Sequence, residues 1–192
     1  MTTLLLARHG ETDWNRDGRF QGHADTPLNE RGREQARELA DQLDGIDVVY
    51  SSDLARARET AEIIAGRLGL EVRVDERLRE RGFGGWEGLT ADEIGSRDTD
   101  GYRRWRSGDG AGAEDAEAHE ALASRVQDFL EDVIRRHPRE DVLVIAHGGS
   151  VRVIQALAAG LDYVRDRRTL PAVGNCEVAR YAAREGKLAA VD

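Results

Sequence analysis

Two kinds of hydrophobic spacing divide the chain. Uninterrupted apolar runs stand at Leu4-Leu5-Leu6-Ala7, Val48-Val49-Tyr50 and Val142-Leu143-Val144-Ile145-Ala146. A run with no polar alternation needs apolar cover on both sides, so these read as strands buried on both faces, as in a parallel sheet. Shorter strands are predicted at Glu71 to Val74 and around Glu177 to Tyr181. Elsewhere apolar residues recur at three and four. Ala36, Leu39, Ala40 and Leu43 share one helical face after the turn signal Thr26-Pro27-Leu28-Asn29. Leu54, Ala57, Ala61, Ile64, Ala65 and Leu68 define a second helix, with Asp53 expected as its N-cap and Gly69 as its stop. Leu122, Val126, Phe129 and Val133 mark a long helix over about Asp115 to Arg136, with Pro138 beyond its end, and Ser150 is expected to cap a helix of Val151, Ile154 and Leu157.

This alternation of strand and helix predicts an α/β fold with helices covering a largely parallel sheet. Residues 78–113 interrupt it. The stretch from Leu78 to Gly88 is too rich in glycine for regular structure, a short helix is expected from Thr90, and Gly108-Asp109-Gly110-Ala111-Gly112 reads as a mobile segment able to cover an active site.

Composition narrows the class. With 192 residues and 40% hydrophobic content the chain can fill one core, so one domain is expected. Asp and Glu number 37 against 28 Lys and Arg, a net charge of −9, which disfavours a nucleic-acid surface because such a surface must neutralise many phosphates. Any positive charge should be local. Among the basic residues only Lys187 is lysine, so no Walker-type phosphate loop can be written. One cysteine, Cys176, favours a reducing compartment. No span approaches the roughly 18 apolar residues of a membrane helix, and the first residues do not form the basic region followed by a sufficiently long apolar stretch of a secretory signal. The expected location is cytoplasmic, with no membrane partner.

Open α/β sheets bind ligands beyond the carboxyl ends of their strands. Arg8-His9-Gly10 and His147-Gly148-Gly149 each come directly after an apolar run, so both histidines are delivered to one rim. The third run ends in Ser51-Ser52-Asp53 and leads into the helix carrying Arg56 and Arg58. Two imidazoles, several guanidiniums and glycines that allow close backbone approach describe a phosphoryl pocket with one histidine available as nucleophile. Only one of the two helical arginines need point inward. Arg56 precedes Ala57 on the buried stripe, and Arg58 can pair with Glu62 on a solvated face. A zinc site would need a third or fourth ligand at sensible spacing, and neither His-Glu-x-x-His nor Cys-x-x-Cys occurs. His23, His119 and His137 lack partners in sequence and are expected to be solvated surface residues. Gly82-x-Gly84 fails the dinucleotide pattern because position 87 is Glu87. No metal and no cofactor are expected.

Several stretches together resemble the histidine phosphatase superfamily, the phosphoglycerate-mutase-like fold, and within it the small broad-specificity phosphatases. They are Arg8-His9-Gly10-Glu11-Thr12-Asp13-Trp14-Asn15, Phe20-Gln21-Gly22, Asp25-Thr26-Pro27-Leu28-Asn29, Ser51 through Ala61, Leu78-Arg79-Glu80, Phe83-Gly84, Trp86-Glu87-Gly88 and Ala146-His147-Gly148-Gly149, in the family's order, with a weaker echo at Gly174-Asn175-Cys176. The resemblance implies a three-layer α/β/α sandwich with a mostly parallel central sheet, and a single histidine phosphatase domain over residues 1–192. It makes His9 the nucleophile that becomes phosphohistidine and Glu80 the proton donor. Arg8, Arg56 and His147 would surround the phosphoryl oxygens, with Asn15, Gln21, Gly22 and Gly148 as further substrate contacts. One departure is the stretch Gly112-Ala113-Glu114-Asp115, where family phosphatases often carry Gly-Gly-Glu-Ser; Asp115 can still cap the long helix.

The expected activity is metal-independent hydrolysis of a small phosphorylated metabolite by a monomer or homodimer. Two alternatives stand beside it. A phosphoglycerate mutase would use the same residues and return the phosphoryl group to a phosphoglycerate, and Tyr102-Arg103-Arg104-Trp105-Arg106 offers cations for that. A weakly catalytic regulatory protein binding a phospho-ligand would be free to lose the nucleophile or the acid, and this chain keeps both.

Overall fold

The computed structural model describes residues 1–110, 112–184 and 187–191. Its strands are β1 (Thr2–Arg8), β2 (Val48–Ser51), β3 (Val72–Val74), β4 (Asp141–Ala146), β5 (Val178–Arg184) and β6 (Lys187–Ala190). The helices are α1 (Asp13–Arg16), α2 (Glu30–Gln42), α3 (Ala55–Leu68), α4 (Ala91–Arg97), α5 (Thr99–Ser107), α6 (His119–Arg136), α7 (Gly148–Ala159) and α8 (Tyr163–Asp166). One sheet runs in the order β3-β2-β4-β1-β5-β6; β3, β2, β4 and β1 pair in parallel, and β5 and β6 add antiparallel at one edge.

The apolar runs are continuous because each face of the sheet has its own core. Leu4, Leu6, Val48, Tyr50, Val142, Val144 and Ala146 point to the side covered by α6 and α7. Leu5, Ala7, Val49, Leu143 and Ile145 point to the side covered by α2 and α3. Each such leucine, isoleucine or valine taken from water contributes about 1.5–3 kcal/mol, so a charge in either register would be strongly destabilising. The expected three-layer α/β/α arrangement is what forms.

Helix starts differ from the expectation in three places. Asp53 does not cap α3; its carboxylate is taken by Arg79, and the Ala55 N–H instead donates to Asp25 Oδ1 at 2.6 Å from the loop before α2. Asp115 does not cap the long helix, which begins only at His119; its carboxylate accepts the Gly85 N–H. Ser150 lies inside α7 and donates its hydroxyl to the carbonyls of Leu78 and Arg79, 3.0 and 2.7 Å away. In each case a long-range partner displaces the local one. The stop at Gly69 is as expected, with φ at 71°.

Much of the segment expected to be irregular is helical. α4 carries a capping box between Thr90 and Glu93, and Asp98 caps α5. An aromatic cluster holds α5 down: Trp105 packs edge-on to Phe20 and Trp86 at 5.3 and 6.0 Å and stacks on Tyr102. Of the glycine-rich stretch 108–112 expected to be mobile, Ala111 lies outside the described residues, while Gly108 caps α5 and its carbonyl accepts from Arg167.

Candidate active site

β1 and β4 are neighbours, with Arg8 opposite Ala146, so the residues just beyond them emerge side by side. The His9 N–H donates to the Ala146 carbonyl, and the His9 and His147 rings lie 5.1 Å apart between centroids. His9 is held by more than its strand. Its carbonyl accepts from the Asn175 amide, and the next N–H, of Gly10, donates to Thr60 Oγ1 at 3.0 Å. Thr60 Oγ1 in turn donates to the Arg56 carbonyl one helical turn back, which ties α3 to the histidine loop. Gly10 sits so close to the backbone of Gly32 at the start of α2 that a side chain would strike the Gly32 carbonyl.

The imidazole of His9 has a defined tautomer. Nδ1 lies 2.7 Å from the Gly10 carbonyl, which can only accept, so Nδ1 carries the proton and the Nε2 lone pair is free. Burial, then the charges of Arg56 and Arg8, push its pKa well below 6.5 against the opposing pull of the Gly10 carbonyl. The same causes in the same order, with His9 itself between the two arginines, keep His147 neutral.

Arg8, His9, Asn15, Gln21, Gly22 and Arg56 line a cavity of about 230 Å³. Arg56 is fully buried, in contrast to Arg58, which is exposed and faces Glu62 at 3.5 Å. The Arg56 Nη atoms donate to the carbonyls of Gly22 and Ala24, both at 2.8 Å, and hold the loop that carries Gln21 over the cavity. Burial lowers its pKa to about 10, partly offset by Glu80 and Asp25, so the guanidinium stays charged near neutral pH. Arg8 donates to the Val173 carbonyl. Gln21 Oε1 accepts from Thr12 and Thr26, which turns its amide N–H groups away from them, and Asn15 Oδ1 closes a capping box with Thr12. Among the described residues, Arg8 Nε, Arg56 Nε and both ring nitrogens of His147 are buried without a hydrogen-bond partner. Unpaired polar groups of this density in and directly behind the wall of one cavity, two of them guanidinium nitrogens, call for an anionic occupant.

Glu80 lies between this cavity and a larger one. Its carboxylate accepts the Gly149 N–H at 3.0 and 3.1 Å and the Arg81 N–H at 2.8 Å, and its carbonyl accepts from Arg125 and pairs with His23 Nε2. Gly148 lines the larger cavity. Of the site residues chosen from sequence, Arg8, His9, Asn15, Gln21, Gly22, Arg56 and Glu80 line the small cavity; Gly148 lines only the larger one, and His147, fully buried, backs onto His9 and lines neither.

Of the three further histidines expected on the solvated surface, two lie elsewhere. His137 is buried, bonded through its ring to Tyr50 and Glu140, and His119 lines the larger cavity with both ring nitrogens buried and, among the described residues, unpartnered. His23 is exposed but bonded to the Glu80 main chain. Sequence reasoning also assigns no role to Thr60, Asn175 and Arg125, whose roles depend on long-range contacts; the local signals are the matching stretch Ser51 through Ala61 around Thr60 and the echo at Gly174-Asn175-Cys176. Among the described residues no three His, Cys, Asp or Glu side chains gather to hold a metal ion.

Known proteins share this fold. Residues 4–192 match the family model of the histidine phosphatase superfamily, branch 1, and the chain belongs to that family. Phosphoserine phosphatase 1 of Hydrogenobacter thermophilus is 38% identical over 167 residues, 84% of this chain and 78% of that protein. A probable phosphoglycerate mutase of an Enterobacter strain is 34% identical over 187 residues, 94% and 84% of the two chains. Among solved structures, a mutant phosphoserine phosphatase from Entamoeba histolytica in complex with phosphoserine superposes with a TM-score of 0.87 at 29% identity, covering 100% of this chain and 96% of that one. A mycobacterial glucosyl-3-phosphoglycerate phosphatase complexed with VO3 gives 0.86 at 31% identity, covering 98% and 96%.

Proposed function

We propose that the protein hydrolyses a small phosphomonoester through a phosphohistidine on His9, without a metal. The observation that carries this is the free Nε2 of a neutral His9 at the wall of a cavity that also holds the buried guanidinium of Arg56 and the half-buried one of Arg8. Phosphoryl transfer asks mainly for in-line positioning and charge neutralisation. Arg8 and Arg56 neutralise the non-bridging oxygens, the amides of Asn15 and Gln21 and the one N–H of the neutral His147 behind the His9 ring supply further hydrogen bonds, and Gly22 lets the loop approach closely. Nε2 forms a bond to phosphorus as the ester oxygen leaves, and Glu80, protonated, gives that oxygen its proton. In the second half Glu80, now a carboxylate, takes a proton from water as the water oxygen bonds phosphorus and the N–P bond breaks.

The mutase alternative has one observation behind it, the presence of Arg106 in the larger cavity. A mutase must keep its phosphohistidine dry while substrate reorients. Here Glu80 faces two adjoining cavities, and the described residues between Glu80 and α6 form only short helices.

The test measures phosphate release and phosphoglycerate isomerisation in one sample. Release should exceed isomerisation by at least about tenfold, roughly 1.4 kcal/mol in barrier; isomerisation outpacing release makes the protein a mutase. His9→Ala should abolish release from nitrophenyl phosphate with the circular dichroism spectrum retained, and the wild type, denatured in alkali during turnover, should carry acid-labile phosphate on His9. Turnover should survive exhaustive chelation. A dependence on added divalent ion would overturn the metal-free reading.

A further inference from the structure

Next to the phosphoryl cavity, and sharing Arg8, Glu80 and Phe83 with it, lies a second cavity of about 540 Å³. Its size suits a small-molecule moiety rather than a trapped water. Its walls include Arg81, Arg106, Arg152, Arg167 and Arg168, and the single carboxylate among the described residues lining it is Glu80. On a chain with a net charge of −9 this is a local reversal of sign.

Four of these arginines are not engaged in ion pairs among the described residues. Among the described residues, Arg106, Arg152, Arg167 and Arg168 meet no carboxylate within salt-bridge distance, whereas most other arginines of the chain do. Each guanidinium has five N–H donors. Arg152 gives none of them to the described residues, and its Nε is buried without a partner. Arg168 gives one hydrogen bond, to the Arg106 carbonyl at 2.6 Å, and Arg167 reaches the carbonyls of Gly108 and Val164. Arg106 lies over the Tyr102 ring. His119, also on the wall, has two buried ring nitrogens with no hydrogen-bond partner among the described residues, and burial followed by the charges of Arg81 and Arg167 holds its pKa at about 4, so it offers a neutral N–H rather than a further cation.

We infer that this cavity binds a second phosphate on the substrate, so that the alcohol released after transfer to His9 is itself a phosphomonoester. The inference rests on the hydrolase reading above and adds the substrate class to it. A lone carboxylate has two oxygens and one charge and would leave most of these donors unmet. A phosphate dianion presents three terminal oxygens and close to two charges, and planar guanidiniums match it well. The position also fits the chemistry: Glu80 stands between the two cavities, where the bridging oxygen of a substrate spanning both would lie.

The test uses three matched series of two to six carbons: alkanediol monophosphates, the corresponding bisphosphates, and phosphooxy carboxylates with one carboxylate in place of the second phosphate. The best bisphosphate should exceed its matched monophosphate at least tenfold in kcat/KM, and exceed the matched carboxylate too. Its KM should also rise more steeply with salt. Arg152→Ala and Arg168→Ala should each cut the bisphosphate-to-monophosphate ratio to under threefold, while Arg31→Ala, an exposed residue of α2 paired with Glu34, should leave the ratio as it is. Calorimetric binding of the same compounds to the His9→Ala protein gives the preference independently of turnover. A binding preference for bisphosphates in that variant, should the wild type prove to lack turnover, counts against the hydrolase reading alone. Equal kcat/KM and equal binding across the first two series, or carboxylates preferred to bisphosphates, would overturn the second-phosphate site, as would a ratio unmoved by both cavity variants.

Discussion

Glu80 and Thr60 show how differently two site residues register in sequence. Glu80 is legible because it matches the family's proton donor, and the structure places it on the rim with its carboxylate held by the Gly149 N–H. If it protonates the leaving oxygen, Glu80→Gln should slow alkyl phosphates by about a hundredfold or more, the usual scale of general acid catalysis, and slow nitrophenyl phosphate far less. Equal losses on both would reduce Glu80 to a structural part. Thr60 lies within the matching stretch Ser51 through Ala61 but is given no role there, yet its hydroxyl is the acceptor for the buried Gly10 N–H. Thr60→Val is nearly isosteric and leaves that donor unmet, which should cost about 1–3 kcal/mol in urea unfolding; Thr60→Ser should recover most of it. The histidines and arginines are legible because a run of apolar residues announces a strand, and the polar residues at its carboxyl end must then lie on the ligand-binding rim. Residues that brace them from 50 or more positions away are not, since nothing in a linear pattern records a contact across the fold.

At the scale of elements, legibility tracks burial. Strands covered on both faces and helices with one apolar stripe are readable, because two cores impose those patterns on them. The starts of α3, α6 and α7 are misjudged from sequence because Asp53, Asp115 and Ser150 have good capping chemistry but meet distant partners instead. α5 escapes notice because its apolar residues are Tyr102 and Trp105, which dock on other aromatics outside both main cores. The first turn of α7 joins fold to chemistry. A Cβ at position 149 would overlap the Glu80 carboxylate and come within 3.3 Å of Leu122 Cδ2. Because the carboxylate is the free end of a flexible side chain, Gly149→Ala should shift it with little loss of Tm. The expected readout is a fall in kcat on alkyl phosphates that nitrophenyl phosphate does not share, as for Glu80→Gln but smaller. A large drop in Tm with equal losses on both substrates would place the defect in packing instead.

For the molecule as a whole, burying neutral histidines beside arginines couples stability to pH and to anions. His9, His147 and His119 all have pKa values lowered from 6.5, that of His119 to about 4. Above pH 6.5 folded and unfolded chains are both neutral at these sites, so no dependence arises there. Below it the unfolded chain takes up protons that the folded chain refuses, and stability falls until the folded groups titrate in turn. Each fully buried histidine can contribute up to about 2 kcal/mol of loss between pH 7 and pH 5. Asp53, whose pKa is lowered by its hydrogen bonds from Arg79, stays ionised over that interval and does not obscure the effect. Urea midpoints should therefore be clearly lower at pH 5 than at pH 7, and His147→Gln should narrow the gap. Sulfate, a dianion at both values, should narrow it too, since an anion beside Arg8 and Arg56 offsets their charge and lets His147 protonate in the folded state. A pH 5 deficit that sulfate leaves untouched would mean that the buried histidines and the anion cavity are not one electrostatic unit.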